Sequence, residues 1–579
     1  MPSAPVTVTF MTTTHSVQTP RIPVAEPTPS DSPRRRAVGR ISRVVGITAP
    51  ASSDLLAGDY DACWIEGHEL ATLSDWQSVL RQSRLHSVNG AFALAWQEPD
   101  GTVCLARDHI GERSLFYARA GDGLVFGSDL HAILASGLVK PVINNTAIAR
   151  YLSYGYLPGR ETLLGGISKV LPAEVVRFRA GELSSSCFWP LPEEADPNAK
   201  PDEDGLRRQL RSQLEAAVRR RLPESGPVGA FLSGGLDSSL VVALARQFHS
   251  DGVLTYSVSF GKEYPNELQF SSMVAEHCRT RHRVVELGPD AILKHLDESI
   301  AMLSDPIGDP LTVPNALLFR EASQEVGIVL NGEGGDPCFG GPKNLPMLLA
   351  ELFGDGAEEN ADEAALHRRE RSYLRAHQKC FDDLSRMLAP ELQPSIAGNT
   401  LEVELASLFG DARWTSLVAK LMAINVAFKG PFHILHKVDA LSAAFGTVAR
   451  SPLFDRAIVE TAFAIPPQLK LRGAVEKYLL KEAVRDLLPR AIIERPKSGM
   501  LVPVEGWFKG PLLGCARERL MDGLAVYGLF NRDYLERLLA GRLSGVRPRR
   551  GAKIWMLVTL ESWLRAVGKH SRIPPASER

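Results

Sequence analysis

The sequence predicts an α/β fold with a parallel sheet at its centre, preceded by a sheet-rich α+β domain and followed by a helical part. Helical and buried-strand patterns alternate between residues 204 and 287, which is typical of a parallel sheet covered by helices on both faces. Short apolar runs separated by turns fill residues 37–142, as expected for strands joined by tight connections. From about Leu311 onward the pattern is mostly helical.

Length and composition restrict the class of protein. A chain of 579 residues is too long to fold around a single hydrophobic core, which indicates two to four domains. A formal net charge of −1 and a charged fraction of 23% favour neither a nucleic-acid partner nor a membrane surface. No apolar stretch reaches the roughly 18–20 residues of a membrane helix. Seven widely spaced cysteines without a Cys-x-x-Cys pair indicate reduced thiols and a cytoplasmic protein.

The chain divides into four predicted parts. Residues 1–40 are rich in Ser, Thr and Pro and end in three arginines, which indicates a disordered tail or a start codon placed too far upstream, with a transit peptide as a lesser alternative. Residues 41–186 form the sheet-rich domain, and residues 187–206, with four prolines among acidic residues, form a linker. The second domain spans residues 207–570, and its charged segment 355–370 is expected to be an exposed excursion.

The predicted elements follow in chain order. In the first domain we expect strands at 90–96, 102–107, 114–118 and 123–127 and a helix at 130–136. In the second domain we expect helices at 204–221, 238–248 and 268–279 and strands at 228–232, 253–260, 282–287 and 326–330. Ligands of such sheets bind beyond the carboxyl ends of the strands.

One strand end carries the sequence LSGGLDSS at residues 232–239. Glycines allow the backbone to turn tightly, and the unpaired N–H groups of the following helix turn suit phosphate oxygens. Ser238 and Ser239 add hydroxyl donors, and the carboxylate of Asp237 suits magnesium. The Gly-Lys-Ser/Thr ending of the common P-loop is absent, which leaves pyrophosphate binding open. The alternative is a plain strand-to-helix turn capped by Asp237 or Ser238.

A second strand runs into the glycine-dense sequence NGEGGD at residues 331–336. Asp237 and Asp336, on neighbouring strand ends, are candidates to share a magnesium ion bound to nucleotide phosphates. The alternative is a tight turn with a solvated aspartate. Lys497 lies between Pro496 and Gly499. A lysine in such a loop is usually a solvated surface charge, but a cation is needed where a leaving pyrophosphate carries charge, and Lys497 is the candidate.

These segments together resemble the asparagine synthetase B-type superfamily, which includes β-lactam synthetases and lasso-peptide cyclases. Residues 232–239 are similar to its N-type ATP-pyrophosphatase loop, residues 331–341 to its second glycine loop, and residues 466–470, 477–480 and 495–499 to its C-terminal signature. The resemblance implies a degenerate Ntn-hydrolase-like first domain, with a glutamine amidotransferase-like fold, and a PP-loop synthetase domain of the adenine-nucleotide α-hydrolase type.

The resemblance also implies a reaction and a set of site residues. A carboxylate is activated by ATP and Mg²⁺ as an acyl-adenylate with pyrophosphate release, and an amine then forms the amide and AMP. Lys497 would stabilise charge in the transition state, and Asp237 and Asp336 would ligate magnesium. The implied ATP-binding residues are Leu232, Ser233, Gly234, Gly235, Asp237, Ser238, Ser239, Val258, Gly332 and Glu333.

Two departures from the family pattern bear on the substrates. Glutamine-dependent members begin Met-Cys, whereas this sequence begins Met1-Pro2 and its first cysteine is Cys63, so we expect the amidotransferase fold without glutaminase activity. Members that make asparagine usually carry Glu where Val448 stands, and Asp336 is followed by Pro337 rather than Glu. Both changes favour an acid other than aspartate, as in β-lactam or lasso-peptide cyclisation.

The leading hypothesis is an ATP-dependent amide synthetase that joins a carboxylate of a small molecule or peptide to an amine. The alternatives are a conventional asparagine synthetase using free ammonia and a non-catalytic pseudoenzyme that binds a partner. A tRNA-modifying relative is disfavoured by the near-neutral charge. A precursor-processing partner protein and assembly into an oligomer are left open.

Overall fold

The structure is a computed structural model that describes residues 55–196, 200–341, 368–377, 379–398, 401–495, 501–543 and 549–568. The predicted tail 1–40, most of the predicted excursion 355–370 and Lys497 lie outside these residues. The chain forms two compact units. Unit 1 comprises Met1–Asp108, Arg113–Val139 and Gly166–Phe188, and unit 2 comprises His109–Glu112, Lys140–Gly165 and Trp189–Arg579.

Unit 1 is built on antiparallel strands. A six-stranded sheet has the order β2-β1-β3-β4-β8-β9, and a three-stranded sheet has the order β6-β5-β7. The first two predicted strands, 90–96 and 102–107, are present as the antiparallel neighbours β3 and β4, with Ala93 opposite Arg107. The strands are β1 Leu55–Ile65, β2 His68–Glu69, β3 Asn89–Gln97, β4 Val103–Arg107, β5 Phe116–Ala120, β6 Gly123–Gly127, β7 Ile167–Lys169, β8 Glu174–Arg179 and β9 Glu182–Cys187; the helices are α1 Leu73–Arg81 and α2 Leu130–Ala135.

Unit 2 contains a five-stranded sheet in which every pair of neighbours is parallel. Its strand order is β12-β11-β10-β13-β14. β11 and β12 lie on one side of β10, and β13 and β14 lie on its other side. The direction in which successive strands are added to the sheet therefore reverses between β10 and β13. The strands are β10 Val228–Phe231, β11 Val253–Ser259, β12 Arg281–Glu286, β13 Ile328–Leu330 and β14 Val448–Arg450, and a separate hairpin joins β15 Leu471–Arg472 to β16 Val475–Glu476. A crevice at such a reversal point is where open α/β sheets bind their ligands.

The predicted alternation of helices and strands is confirmed, with shifts of one or two residues at most ends. The helix after the first glycine turn begins two residues before its predicted start, because Gly235 adopts an extended conformation and serves as its N-cap. The helices of unit 2 are α3 Asn145–Tyr154, α4 Glu203–Arg221, α5 Leu236–Phe248, α6 Leu268–His277, α7 Pro289–Ala301, α8 Thr312–Ala322, α9 Gly335–Phe339, α10 Arg368–Ala376, α11 Leu384–Met387, α12 Val403–Phe409, α13 Leu417–Ile424, α14 Leu435–Ala444, α15 Arg456–Ala464, α16 Pro467–Lys470, α17 Tyr478–Ala483, α18 Arg490–Glu494, α19 Val504–Trp507, α20 Leu513–Glu518, α21 Arg532–Leu539 and α22 Arg550–Gly568.

A π-helical segment, Asn425–Ile434, joins α13 to α14. It contains Pro431, which has no backbone N–H to donate. A proline inside a helix removes a backbone hydrogen bond and is a common cause of a kink, and π-helical turns are frequent at functional sites.

The proline-rich segment that begins at Trp189 belongs to unit 2 and is hydrogen-bonded to other residues of that unit. The Glu194 carboxylate accepts hydrogen bonds from the N–H groups of Thr415 (2.8 Å) and Ser416 (2.9 Å). The indole N–H of Trp414 donates to the carbonyl of Pro192 at 2.9 Å.

Of the helices in the described part of the chain, none is long and apolar enough to cross a membrane.

Candidate functional site

Both glycine loops lie at the point where the sheet reverses direction. Residues 232–235 follow β10 and lead into α5, and residues 331–334 follow β13 and lead into α9. β10 and β13 are hydrogen-bonded neighbours, with Ala230 opposite Leu330. The two loops therefore leave the sheet side by side, as the leading interpretation of the sequence requires.

The first loop is closed by its own serines. The Ser238 hydroxyl lies 3.2 Å from the Ser233 N–H, which donates to it, and 3.1 Å from the Ser233 hydroxyl. Gly234 has φ +78°, and a Cβ there would lie 2.5 Å from the Ser271 nitrogen. A residue with a side chain is therefore excluded at position 234 by both conformation and space.

The second loop touches the first through glycines. A Cβ at Gly332 would lie 2.5 Å from the Ser238 nitrogen, and a Cβ at Gly335 would lie 2.2 Å from the Asp237 carboxyl carbon. Neither position has room for a methyl group, so the close approach of the second loop to the Ser238 backbone and to the Asp237 side chain depends on glycine at both positions. That approach brings Asp336, the next residue, to the side of Asp237.

A lysine that sequence reasoning assigned no role completes the site. The Lys477 ammonium lies 2.6 Å from Asp237 Oδ2 and 2.5 Å from Asp336 Oδ1. The residue is only 2% exposed and has φ +55°, an unusual conformation for a lysine. Its sequence signal was membership of the C-terminal signature at residues 477–480, which marked the resemblance without indicating where the ammonium group lies.

Two carboxylates that share one ammonium group offer the donor chemistry that Mg²⁺ prefers. Magnesium takes oxygen ligands and usually keeps phosphate or water oxygens in its shell, so one or two protein carboxylates suffice. Among the described residues no group of three or more His, Cys, Asp or Glu side chains could hold a metal. If a magnesium ion arrives with nucleotide phosphates, Asp237 and Asp336 are the two carboxylates that would hold it.

Arg495, two residues before Lys497, contacts the first glycine turn. Its guanidinium donates to the Gly234 carbonyl at 3.1 Å, pairs with the Glu267 carboxylate at 2.5 Å and lies 3.8 Å above the Phe270 ring. Lys497 itself lies outside the described residues, so its role stays a prediction.

The remaining predicted ATP-binding residues lie around these loops. Leu232 and Val258 are buried at the ends of adjacent strands, and Gly332 and Glu333 form the half-buried start of the second loop. Ser239 is fully buried in the first turn of α5, and its hydroxyl has no hydrogen-bond partner among the described residues.

Replacing Gly335 with alanine is expected to disrupt the site, because the new methyl group would overlap the Asp237 carboxylate. Overpacking of this kind costs about 1–3 kcal/mol and would displace the carboxylate. The matched control is Gly327→Ala, since a Cβ at Gly327 meets no atom within 4 Å. We expect a lower melting temperature and loss of ATP-dependent activity for Gly335→Ala alone; equal behaviour of the two variants would contradict the close approach.

Comparison with known proteins identifies the fold family of unit 2. A family model described as asparagine synthase matches residues 209–565, which is more than half of the chain. The chain belongs to the asparagine synthase family. It is accordingly an ATP-dependent C–N ligase, and the predicted family is confirmed. A second model, described as a glutamine amidotransferase domain, matches residues 66–189.

Three similar proteins align over most of the chain. Asparagine synthetase (glutamine-hydrolyzing) 1 of Bacillus subtilis is 24% identical over 86% of this chain and 82% of its own length. Asparagine synthetase (glutamine-hydrolyzing) 3 of the same organism is 26% identical over 75% of this chain and 71% of its own. Amidase chry2 of Gibberella zeae is 23% identical over 74% of this chain and 72% of its own.

Among solved structures, an NH3-dependent NAD synthetase from Campylobacter jejuni aligns with 38% of this chain and 92% of its own, at 15% identity and a TM-score of 0.19. That likeness is too weak to carry an argument. The predicted fold class is confirmed by the architecture itself, an antiparallel sheet unit followed by a parallel-sheet unit with a helical C-terminal part.

The thiols of the amidotransferase-like unit are mostly buried. Cys63 is 1% exposed and donates to the Ala91 carbonyl at 3.2 Å. Burial raises the pKa of the Cys63 thiol well above its ordinary value and likewise raises the pKa of the buried Cys104. Cys187, at the end of β9, is exposed. A nucleophilic cysteine needs a lowered pKa and access to the ligand, which neither Cys63 nor Cys104 has.

Proposed function

We propose that this member of the asparagine synthase family forms an amide from a carboxylic acid and an amine by way of an acyl-adenylate. The observation that carries the proposal is the convergence of Asp237, Asp336 and Lys477 at the sheet's reversal point, beside a glycine turn that opens α5. A carboxylate oxygen attacks the α-phosphorus of ATP, and the bond to pyrophosphate breaks. The amine nitrogen then attacks the acyl carbon, AMP leaves and the nitrogen loses a proton.

Each part of the site has a task in this proposal. The N–H groups of the turn 233–235 and the first turn of α5, with the Ser238 hydroxyl, bind the pyrophosphate oxygens. Asp237 and Asp336 would hold Mg²⁺, which neutralises phosphate charge when bound. Lys477 then turns its ammonium from the carboxylates to the phosphates, where it stabilises developing charge. Lys497 is proposed to stabilise charge in the same transition state.

We propose that the nitrogen donor is not glutamine hydrolysed by a thiol of unit 1. This is supported, for two of the three cysteines of unit 1, by the burial and raised pKa of Cys63 and Cys104, whereas Cys187 is exposed. The second candidate, a glutamine-hydrolysing asparagine synthetase, is favoured by the amidotransferase match over residues 66–189.

We further propose an acid other than aspartate. Val448 is buried at the start of β14 and Pro337 lies in α9, so neither position offers the carboxylate that asparagine-forming relatives usually carry there. The proposed acid is a peptide or a small molecule. We also propose a precursor-processing partner protein and a cytoplasmic location. The seven free thiols accord with the location.

Product analysis tests the reaction. The purified chain is incubated with ATP, MgCl₂ and a panel of carboxylic acids that includes aspartate, once with ammonium and once with glutamine. AMP and pyrophosphate are expected in stoichiometric amounts with the true acid, and ADP with phosphate would contradict adenylation. Release of glutamate from glutamine, or asparagine as the best product, would decide for the second candidate.

A further inference from the structure

Lys477 lies between a small hairpin and a short helix of unit 2. In the hairpin Arg472 pairs with Val475, so Gly473, with φ +59°, and Ala474 form a two-residue turn. Each strand of this hairpin has only two residues, and a hairpin of two strands is marginally stable at best in water by itself. Contacts with the rest of unit 2 must therefore hold it in place.

The backbone of Lys477 is in the left-handed region, with φ +55° and ψ +36°. For a residue with a side chain this conformation is strained, and it persists only where the surrounding structure fixes it. The conformation matters for the site, because from it the ammonium group reaches both Asp237 and Asp336. A different backbone conformation at this residue would carry the ammonium away from the two carboxylates.

A single carboxylate binds the residues on both sides of Lys477. Glu203 begins α4, and the Tyr478 hydroxyl donates to its Oε1 at 2.7 Å. The Arg472 guanidinium donates to Oε1 and Oε2 of the same carboxylate, at 3.2 Å each, and lies 4.5 Å from the centre of the Tyr478 ring. The hydrogen bond to Glu203 raises the pKa of Tyr478. These three residues, Glu203, Arg472 and Tyr478, form a clamp around Lys477.

The clamp acts on local conformation rather than on the stability of the whole unit. The Arg472 side chain is 54% exposed and that of Glu203 is 37% exposed, and an ion pair in that setting contributes little by itself. The hydrogen bond from Tyr478 is the stronger part, because its acceptor is charged. Leu479 and Leu480 are buried and fix α17 in the core. The clamp therefore has only to hold the hairpin relative to that helix.

We propose that Glu203 is a positioning residue for Lys477. By binding Arg472 and Tyr478 it keeps the backbone at residue 477 left-handed, which places the ammonium at the nucleotide site. Glu203 itself contacts neither the nucleotide nor the acid. The catalytic part of this role rests on the proposed function, in which the Lys477 ammonium stabilises charge that develops on the phosphates.

Trace acetylation of the full chain with acetic anhydride, without ATP, reports where the Lys477 ammonium lies. Lys477 is buried and is expected to react slowly, and the exposed Lys294 is the internal reference in mass spectra. Glu203→Gln and Tyr478→Phe are each expected to raise the labelling of Lys477 relative to Lys294 about 10-fold, since each weakens the hydrogen bond to a charged acceptor. Labelling ratios equal to that of the wild-type chain would overturn the proposal.

Asp204→Asn is the matched control for Glu203→Gln. Asp204 also lies in the first turn of α4, so both substitutions remove one negative charge that favours the helix N-terminus. Asp204 pairs with Arg207 of its own helix at 3.1 Å, and its loss should leave the Lys477 ratio unchanged. A rise as large as that in Glu203→Gln would indicate general loosening of α4 and contradict the clamp.

Kinetics separate positioning from a merely structural role. In ATP–pyrophosphate exchange, Glu203→Gln is expected to lower kcat about 10-fold and to change KM for ATP by less than about 2-fold, because the ammonium acts in the transition state. In a Lys477→Met background the same substitution should cause no further loss, and additive losses would overturn the proposal. Labelling needs no ATP, so a raised Lys477 ratio in a chain that forms no adenylate would refute the proposed reaction and still support the positioning.

Discussion

Asp237→Asn is expected to lower ATP–pyrophosphate exchange by at least about 10²–10³-fold, the usual cost of removing one preorganised electrostatic group. The substitution keeps the side-chain volume but removes the charge that faces Lys477 at 2.6 Å. It also removes one of the two oxygen donors that fit Mg²⁺. Exchange of labelled pyrophosphate into ATP, with the acid found by product analysis, measures the effect.

The matched control for this prediction is Asp290→Asn. Asp290 is also an acidic residue in the first turn of a helix of unit 2, but it is exposed, and exchange should be unaffected. The melting temperatures of both variants should stay near that of the unmodified chain, since Asp336 still pairs with Lys477. Wild-type exchange in Asp237→Asn would overturn the assignment of the nucleotide site.

Asp455→Ala is expected to cost about 3–5 kcal/mol of unfolding free energy, as is usual when one partner of a buried ion pair is removed. The Asp455 side chain is fully buried and faces two arginines, Arg221 at 2.5 Å and Arg220 at 2.9 Å. Arg221 also pairs with Glu112 at 3.0 Å. Asp455 accepts a hydrogen bond from Ala457 N–H at the start of α15. Urea unfolding monitored by tryptophan fluorescence measures the loss.

An exposed ion pair in the same unit provides the comparison. Asp486 lies 2.7 Å from Arg211, but its side chain is 69% exposed, and exposed pairs contribute about 0–1 kcal/mol. Asp486→Ala should therefore shift the unfolding midpoint little. If Asp455→Ala and Asp486→Ala were equally stable, the buried network would contribute nothing to the fold.

The Asp455 network also supports the site. Arg450, at the end of β14, donates to the Arg221 carbonyl at 2.6 Å and accepts the Asn331 N–H through its own carbonyl at 3.1 Å. Asn331 begins the second glycine loop. We therefore infer that destabilising this network displaces the loop that leads into α9, the helix of Asp336.

Much of the fold was predictable because its signals are local. Apolar runs of strand length, turn residues and helical spacing lie within about ten residues of one another, and the helices and strands between residues 203 and 286 occur close to their predicted ends. Two of the elements that were not predicted show why. β14 has only three residues, too few for a periodic pattern, and the widened helix at Asn425–Ile434 differs from an ordinary helix in its hydrogen bonds rather than in its spacing.

The two glycine loops of the site were predictable from the sequence, but the way in which they and Lys477 come together was not. The sequence by itself determined two glycine turns after buried strands, because only glycine permits their backbone conformation and close contact. Only the tertiary structure decided that β13 lies beside β10, and that Lys477, 240 residues along the chain from Asp237, places its ammonium between the two carboxylates. Strand order and burial depend on contacts distant in sequence, whereas turns depend on neighbouring residues.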